Sequence, residues 1–208
     1  EVATQGVRDR YLINSLYEEA INSSQMEGAS TTRRDAKKML REKKDPRTRS
    51  ERMILNNFLA LEFVRDHLGE ELTPEFICGV HRIVTDGTLD EAEDAGRLQR
   101  QGEERIRIYG SEGDEQLLHV PPPAEELPER LQRLCDFANG VGEYASQYVP
   151  PLVRALVVHF MMGYDHYFVD GNGRTARVIA QWVMLREGFF LMDFVPVSRL
   201  LHKAPAQY

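Results

Sequence analysis

The stretch HYFVDGNGRTAR, residues 166–177, decides how this chain is interpreted. Within it, Gly171-Asn172-Gly173 stands where a loop gives way to a helical pattern. The first backbone N–H groups of a helix have no partner inside the helix, and the helix dipole adds positive charge there. Two glycines let a bulky anion approach that backbone closely. The stretch therefore predicts a phosphate site at a helix N-terminus.

The charged side chains of the same stretch extend this prediction. Arg174 and Arg177 are three residues apart and hence on one face of the first helical turn. Two guanidinium groups beside an anion site favour a polyphosphate ligand. Asp170 could cap the helix, or it could hold magnesium beside the phosphates. His166 lies one loop away, where it could take a proton from an incoming hydroxyl group.

Three other interpretations of the stretch compete with a polyphosphate site. GNGRTA also fits the dinucleotide-binding pattern G-x-G-x-x-A, with Asp193 about twenty residues further on, but that pattern requires alternating strands and helices around it. The sequence contains no G-x-x-x-x-G-K-[ST] motif of a Walker-type NTPase. A purely structural turn with surface arginines would require two arginines and a histidine to surround one glycine-rich turn by chance.

The remainder of the chain predicts a mainly α fold. Apolar residues recur at helical spacing in six segments: 10–27, 53–68, 74–87, 124–139, 152–164 and 174–190. The segment 152–164 is apolar on nearly every side, which predicts a helix at the centre of the bundle. In the first helix, Glu18, Glu19 and Asn22 are predicted to face away from the core. Residues 104–123 carry the only clear β-hairpin pattern.

Composition narrows the classes of protein. The 208 residues carry a net charge of −7, which argues against general nucleic-acid binding. No apolar run approaches the ~18 residues of a membrane span. Cys78 and Cys135 suggest neither a disulfide framework nor a zinc site, so a reducing, cytoplasmic setting is expected. The chain starts at Glu1 without a methionine and ends without a helix stop signal, so further residues are expected beyond its C-terminus.

One segment departs from this acidic average. Residues 33–52 contain ten Lys or Arg against four Asp or Glu, a local balance of +6. A solvated helix, a turn at Asp45-Pro46 and the start of another helix explain most of this charge. A local anionic partner is the alternative.

The motif resembles the signature of Fic domains, H-x-F-x-[D/E]-G-N-G-R-x-x-R, at every defined position. The resemblance implies a helical Fic fold that transfers AMP from ATP to a protein hydroxyl group. The roles it implies are a base at His166, a loop anchor at Phe168, magnesium binding at Asp170, an α-phosphate cradle at Gly171, Asn172 and Gly173, and outer-phosphate binding at Arg174 and Arg177. The hairpin near residues 105–120 would be the flap that aligns a target protein as an added strand. Tyr167 stands where proline is frequent in the family.

A second stretch, SSQMEG at residues 23–28, breaks two local rules. Glu27 continues the apolar stripe of the first helix, and it lies in the last turn, where the dipole disfavours an anion. A buried carboxylate needs a cationic partner, and the motif offers two arginines. Ser23 to Gly28 resembles the S-x-x-x-E-G inhibitory helix of some Fic proteins, which implies that Glu27 pairs with Arg177. An exposed glutamate at a frayed helix end is the alternative.

The sequence therefore predicts an autoinhibited AMP transferase with Mg²⁺ and ATP. Residues 1–30 are expected to form the inhibitory helix and residues 31–208 the Fic catalytic domain. The expected partners are a target protein and a second copy of the chain in a homodimer. One alternative is removal of AMP from a target by the same site. Another is a regulatory or DNA-binding protein that uses this domain as a nucleotide sensor.

Overall fold

The structure, a computed structural model, describes residues 4–109 and 116–204. Its helices are α1 (Gln5–Met26), α2 (Arg33–Glu42), α3 (Arg49–Asp66), α4 (Pro74–Thr85), α5 (Leu127–Asn139), α6 (Pro151–Asp165), α7 (Asn172–Arg186) and α8 (Val197–Lys203). The strands β1 (Ile108–Tyr109) and β2 (Leu117–His119) pair antiparallel. The predicted mainly α fold with one hairpin is confirmed.

Three helices begin at threonine caps. The hydroxyl groups of Thr32, Thr48 and Thr73 each accept a hydrogen bond from the backbone N–H three residues further on. Such a bond satisfies one of the donors that the first helical turn leaves free. Pro74 follows its cap directly, where its missing N–H has no consequence. These local signals explain why α2, α3 and α4 start where they do.

The helix at the centre of the bundle is α7, and the prediction that residues 152–164 fill this place is wrong. In α6, Leu152, Leu156 and Phe160 are exposed, with Phe160 62% accessible. The most central side chain of α7 is Trp182, which is fully buried and donates its ring N–H to the His67 carbonyl oxygen at 3.1 Å. A count of apolar residues does not reveal that α7 is buried, because several buried residues of α7 are polar and belong to the site described below.

Helix α1 packs against α3 and α8, and its polar side is more buried than its sequence predicts. Glu18 pairs with Arg33 and Lys37 of α2, and the Glu19 carboxylate accepts the Ser198 backbone N–H at 2.8 Å. Both glutamates are buried, so the prediction that they face away from the core is wrong. The half-buried Asn22 donates to the Glu18 carbonyl oxygen at 2.7 Å. Elements distant in sequence cover this face.

The hairpin lies beside the C-terminal end of α6. The His119 Nε2 atom lies 2.7 Å from the Tyr164 carbonyl oxygen, and the two rings are 4.2 Å apart. Both strands are exposed, so neither buries an apolar face. Part of the predicted flap, residues 110–115, lies outside the described residues. Across the described ranges, no helix is both long enough and apolar enough to span a membrane.

Candidate active site

The loop between α6 and α7 is held in one shape by its own residues. His166 ends α6 with a φ of 49°, and Gly171 precedes α7 with a φ of 80°. A Cβ atom on Gly171 would lie 2.6 Å from the Thr85 methyl group, so only glycine fits there. The Asn172 amide accepts from the Phe168 N–H at 2.9 Å and donates to the Phe168 carbonyl oxygen at 2.7 Å. Asn172 thus closes the loop on itself.

A second histidine, His81 of α4, supports this loop from below. Its ring stacks on Phe168 with centroids 3.7 Å apart and planes 7° apart. Its Nδ1 accepts the Gly96 N–H at 2.9 Å, so the proton lies on Nε2, which is 2.8 Å from the Asp170 carbonyl oxygen. Burial lowers the pKa of His81 to about 4, which keeps the ring neutral. Sequence analysis missed this residue, since a lone histidine in an amphipathic helix gives no functional signal.

His166 is placed and tuned to accept a proton. Burial, followed by the positive charge of Arg105, lowers the pKa of His166 below its usual value of 6.5. The Asn172 side-chain amide lies 3.2 Å from its Nδ1. The next residue, Tyr167, is fully buried and donates its hydroxyl proton to Asp165 at 2.6 Å, so a tyrosine is well accommodated here. A neutral imidazole at physiological pH has the protonation state of a general base.

A cavity of about 610 Å³ opens in front of His166. Residues from 99 to 109, up to the end of β1, form one wall, and Val169 lies on the other side. Arg105 fixes this wall by donating to the Asp165 carbonyl oxygen at 2.6 Å and to the Pro122 carbonyl oxygen at 3.0 Å. Sequence analysis did not single out Arg105, because its contacts come from segments far along the chain. The cavity is large enough to hold a side chain of another protein or part of a nucleotide.

Arg174 is buried without enough hydrogen-bond partners. Its side chain is fully inaccessible, and one terminal nitrogen donates to the Val84 carbonyl oxygen at 3.3 Å. Within the described ranges, its Nε and Nη2 atoms have no hydrogen-bond partner, and Nη2 is 3.7 Å from the Asp170 carboxylate. Burial lowers the pKa of Arg174, while Asp170 and Glu27 oppose this shift. An under-satisfied buried guanidinium beside a helix N-terminus indicates a missing anion.

Arg177 is satisfied by the end of α1. Its Nε donates to the Ser23 hydroxyl at 2.8 Å, and its Nη2 donates to the Ser23 carbonyl oxygen at 2.9 Å and to the Glu27 carboxylate at 2.8 Å. The Glu27 carboxylate also lies against Gly173, where a Cβ atom would collide with it. It therefore occupies the anion cradle at the start of α7. Gly28, with a φ of 89°, follows the end of α1 as its sequence predicts.

Asp170 fits the part of a magnesium ligand. One carboxylate oxygen accepts the Gly171 N–H at 2.6 Å, and the other faces Arg174 at 3.7 Å and Arg49 at 3.5 Å. The carboxylate is 44% exposed, so it does not serve as the buried cap of α7, which begins after Gly171. The described residues contain no cluster of three or more His, Cys, Asp or Glu. A single carboxylate beside a phosphate cradle suits Mg²⁺, which takes most of its ligands from phosphates and water.

All the site residues predicted from the sequence thus meet in one region. The loop supplies His166, Phe168 and Asp170, the start of α7 supplies the cradle and both arginines, and the end of α1 supplies Ser23 and Glu27. This arrangement defines a helical domain in which a glycine-rich helix N-terminus, a histidine with a lowered pKa and a carboxylate from the end of α1 share one site. The Fic/DOC family model matches residues 71–184, more than half of the chain, and the chain belongs to this family. Helix α1 lies outside the matched residues.

Curated relatives agree with this assignment. The chain is 31% identical over 138 residues to "Protein adenylyltransferase Fic" of Drosophila willistoni, an alignment covering 65% of this chain and 24% of the relative. It is 30% identical over 120 residues to "Protein adenylyltransferase fic-1" of Caenorhabditis elegans, covering 58% of this chain and 20% of the relative. The chain therefore matches about a quarter or less of the length of these relatives.

Solved structures share the fold. A Fic family protein from Desulfovibrio desulfuricans G20 superposes with a TM-score of 0.74 at 23% identity, covering 94% of this chain and 55% of that chain. Fic-1 from C. elegans superposes with a TM-score of 0.71 at 20% identity, covering 98% of this chain and 64% of that chain. At these identities the likeness establishes the fold alone.

Proposed function

We propose that this chain transfers AMP from ATP to a serine, threonine or tyrosine hydroxyl group of a target protein or of itself. The observation that carries the proposal is Arg174, whose buried Nε and Nη2 groups have no hydrogen-bond partner among the described residues and favour an anion at the start of α7. The neutral His166 beside the same cradle supplies the base that such a transfer requires. The names of the curated relatives favour adenylyl transfer over other uses of a phosphate site.

The residues suit an in-line displacement at the α-phosphorus of ATP. The target hydroxyl oxygen forms a bond to this phosphorus, and the bond from phosphorus to the pyrophosphate oxygen breaks. The hydroxyl proton passes to the His166 imidazole, and pyrophosphate leaves with the electron pair. The backbone N–H groups at the start of α7 hold the α-phosphate, while Arg174 and Arg177 bind the outer phosphates.

Asp170 is the residue that would hold Mg²⁺ with the nucleotide. The bound ion would offset negative charge on adjacent phosphate groups. The half-exposed carboxylate oxygen of Asp170 that faces Arg49 and Arg174 is free of backbone hydrogen bonds and supports this assignment. The proposal predicts that Asp170→Ala abolishes metal-dependent transfer, and full activity of this variant in excess EDTA would remove both the ion and its ligand from the mechanism.

Helix α1 is proposed to inhibit the enzyme as part of the same domain. Glu27 takes the place of a phosphate oxygen on Arg177 and in the Gly173 cradle. ATP could then bind only with its α-phosphate turned away from the attacking hydroxyl, and transfer depends on near-ångström alignment. Ser23 strengthens the block by contributing two of the three hydrogen bonds that hold Arg177.

The target protein is proposed to dock along the hairpin. Strand β1 of the exposed hairpin borders the cavity in front of His166 through Tyr109, and strand addition at an exposed edge aligns a peptide through backbone hydrogen bonds. The target hydroxyl would enter this cavity beside the His166 ring.

The test is incubation with ATP labelled on its α-phosphate, comparing the wild type with Glu27→Gly and Glu27→Gly/His166→Ala. Label is expected on Glu27→Gly through automodification, with little on the wild type and none on the double variant. Parallel reactions with UTP, GTP and CDP-choline identify the nucleotide. If none of these nucleotides labels Glu27→Gly or an added protein mixture, the proposal of group transfer fails.

A further inference from the structure

Asp170 lies between two guanidinium groups that come from different parts of the fold. Its Oδ2 atom is 3.5 Å from Nη2 of Arg49 and 3.7 Å from Nη2 of Arg174. Arg174 belongs to the motif, whereas Arg49 is the first residue of α3 and part of the basic segment 33–52. Arg49 binds no phosphate and moves no proton in the proposed transfer reaction.

The two arginines differ in their freedom to move. Arg174 is fully buried at the start of the central helix, so its guanidinium group cannot leave the site. The Arg49 side chain is 61% exposed, and its Nε donates to the Thr88 carbonyl oxygen at 2.9 Å. It lines a polar pocket of about 310 Å³, together with Arg47, Arg52 and Asp90. Arg49 therefore has open space to move into.

We propose that Arg49 is a positioning residue that occupies the cation side of Asp170 until a divalent ion arrives with the nucleotide. This inference rests on the proposed nucleotide-transfer function. A divalent ion at Asp170 and the Arg49 guanidinium group, 3.5 Å from the same oxygen, compete for this carboxylate, and Arg49 is the one of the two neighbouring arginines that has room to withdraw. In the absence of nucleotide, Arg49 balances the Asp170 charge and keeps the carboxylate oriented toward the cradle.

The experiment measures Mn²⁺ binding by electron paramagnetic resonance at saturating ADP. Glu27 and Arg177 are the same in every protein compared, so the pair between them does not contribute to the differences. Removing a competing, largely exposed cation should tighten Mn²⁺ binding in Arg49→Gln by about two- to fivefold. The difference from the wild type should shrink as salt is added, because exposed charges are screened. Arg49→Lys, which keeps the charge, should bind Mn²⁺ more like the wild type than Arg49→Gln does.

Arg52→Gln is the matched control. Arg52 lies on the same helix and lines the same pocket, but its guanidinium group faces Asp86 at 3.9 Å. Its variant should bind Mn²⁺ with wild-type affinity. Equal or weaker Mn²⁺ binding by Arg49→Gln would overturn the inference, as would wild-type Mn²⁺ binding by Asp170→Asn.

The same measurements separate the two proposals. If ADP and Mn²⁺ bind and Glu27→Gly transfers AMP, but Arg49→Gln leaves Mn²⁺ affinity unchanged, only the role of Arg49 fails. If ADP binds to neither the wild type nor Glu27→Gly, the nucleotide site itself is wrong, and the role of Arg49 falls with it.

Discussion

Arg174 and Arg177 lie one turn apart at the start of α7, and both are buried, yet their guanidinium groups are satisfied differently. Arg177 makes three hydrogen bonds to Ser23 and Glu27. Arg174 makes one long hydrogen bond, and two of its nitrogens have no hydrogen-bond partner in the described residues. The chain's own carboxylate thus contacts one of the two arginines and leaves the other to a backbone carbonyl oxygen and Asp170.

The contrast shows which of the two arginines lowers the stability of the folded protein. A buried and under-satisfied guanidinium destabilises a fold, because desolvation is not offset by hydrogen bonds. An arginine paired with an internal glutamate is stable, but it must release that partner before it can bind a phosphate. Under the proposed function, Arg174 can bind an anion without losing a hydrogen-bond partner, whereas Arg177 must first release Glu27.

The largest loss of AMP transfer is expected when His166, the proposed general base beside the two arginines, is replaced. In the Glu27→Gly background, His166→Ala should reduce AMP transfer by about 100- to 10,000-fold, because positioned proton transfer contributes that much. Equilibrium dialysis should show that ATP still binds, since both arginines remain. Unchanged labelling in the double variant would show that chemistry at the cradle uses another base.

The next prediction removes the difference between the arginines directly. Glu27→Gly should raise transfer by about 100-fold, the order expected when a misaligned reacting group is restored. Adding Arg177→Ala should cancel the gain, because the released arginine binds the outer phosphate. Initial rates of automodification at identical ATP concentrations provide the measurement, and a Glu27→Gly/Arg177→Ala variant as active as Glu27→Gly would contradict the control role of Arg177.

A third test concerns the loop that holds the two arginines in register. His81 is neutral in the folded protein with a pKa of about 4, below the 6.5 of the unfolded chain. As pH falls below 6.5 the unfolded state binds a proton first, so stability is lost progressively down to about pH 4, by up to roughly 3 kcal/mol. Urea unfolding in EDTA across this pH range measures the loss.

His81→Gln serves as the control for this pH dependence. Glutamine keeps a donor for the Asp170 carbonyl oxygen but cannot titrate. Its free energy of unfolding should fall less between pH 6.5 and pH 4 than that of the wild type. An identical slope in the two proteins would assign the acid sensitivity to other groups.

The smallest expected effect is on stability, and it tests the contrast directly because replacing the two arginines should change the free energy of unfolding in opposite directions. Without nucleotide, Arg174→Met should raise the free energy of unfolding by about 1–2 kcal/mol. An apolar side chain would replace a buried guanidinium group that has two nitrogens without hydrogen-bond partners in the described residues, and the half-exposed Asp170 would keep Arg49. Arg177→Met should lower the free energy of unfolding by a similar amount, because Ser23 and Glu27 lose their partner. Urea unfolding of both variants at neutral pH decides the matter, and equal signs would show that the arginines are equivalent in the resting protein.

Local patterns predicted much of the fold. Helical spacing predicted where α3, α4 and α6 lie to within a few residues. The order of burial was not predictable in the same way. Segment 152–164 has more apolar residues than α7, but α7 is the central helix. The burial of a helix depends on the elements that pack against it, and the composition of the helix does not indicate which elements those are.

The sequence by itself determined the residues of the candidate site, because a phosphate cradle needs glycines, arginines and a helix start within one short stretch. It also singled out Glu27, since a carboxylate on an apolar stripe at a helix C-terminus conflicts with two local rules. Only the tertiary structure decided that Glu27 lies in the cradle, that His81 supports the loop and that Arg49 faces Asp170. These contacts join residues between 89 and 150 positions apart. Such distances are set by packing of the whole bundle, and no local pattern encodes them.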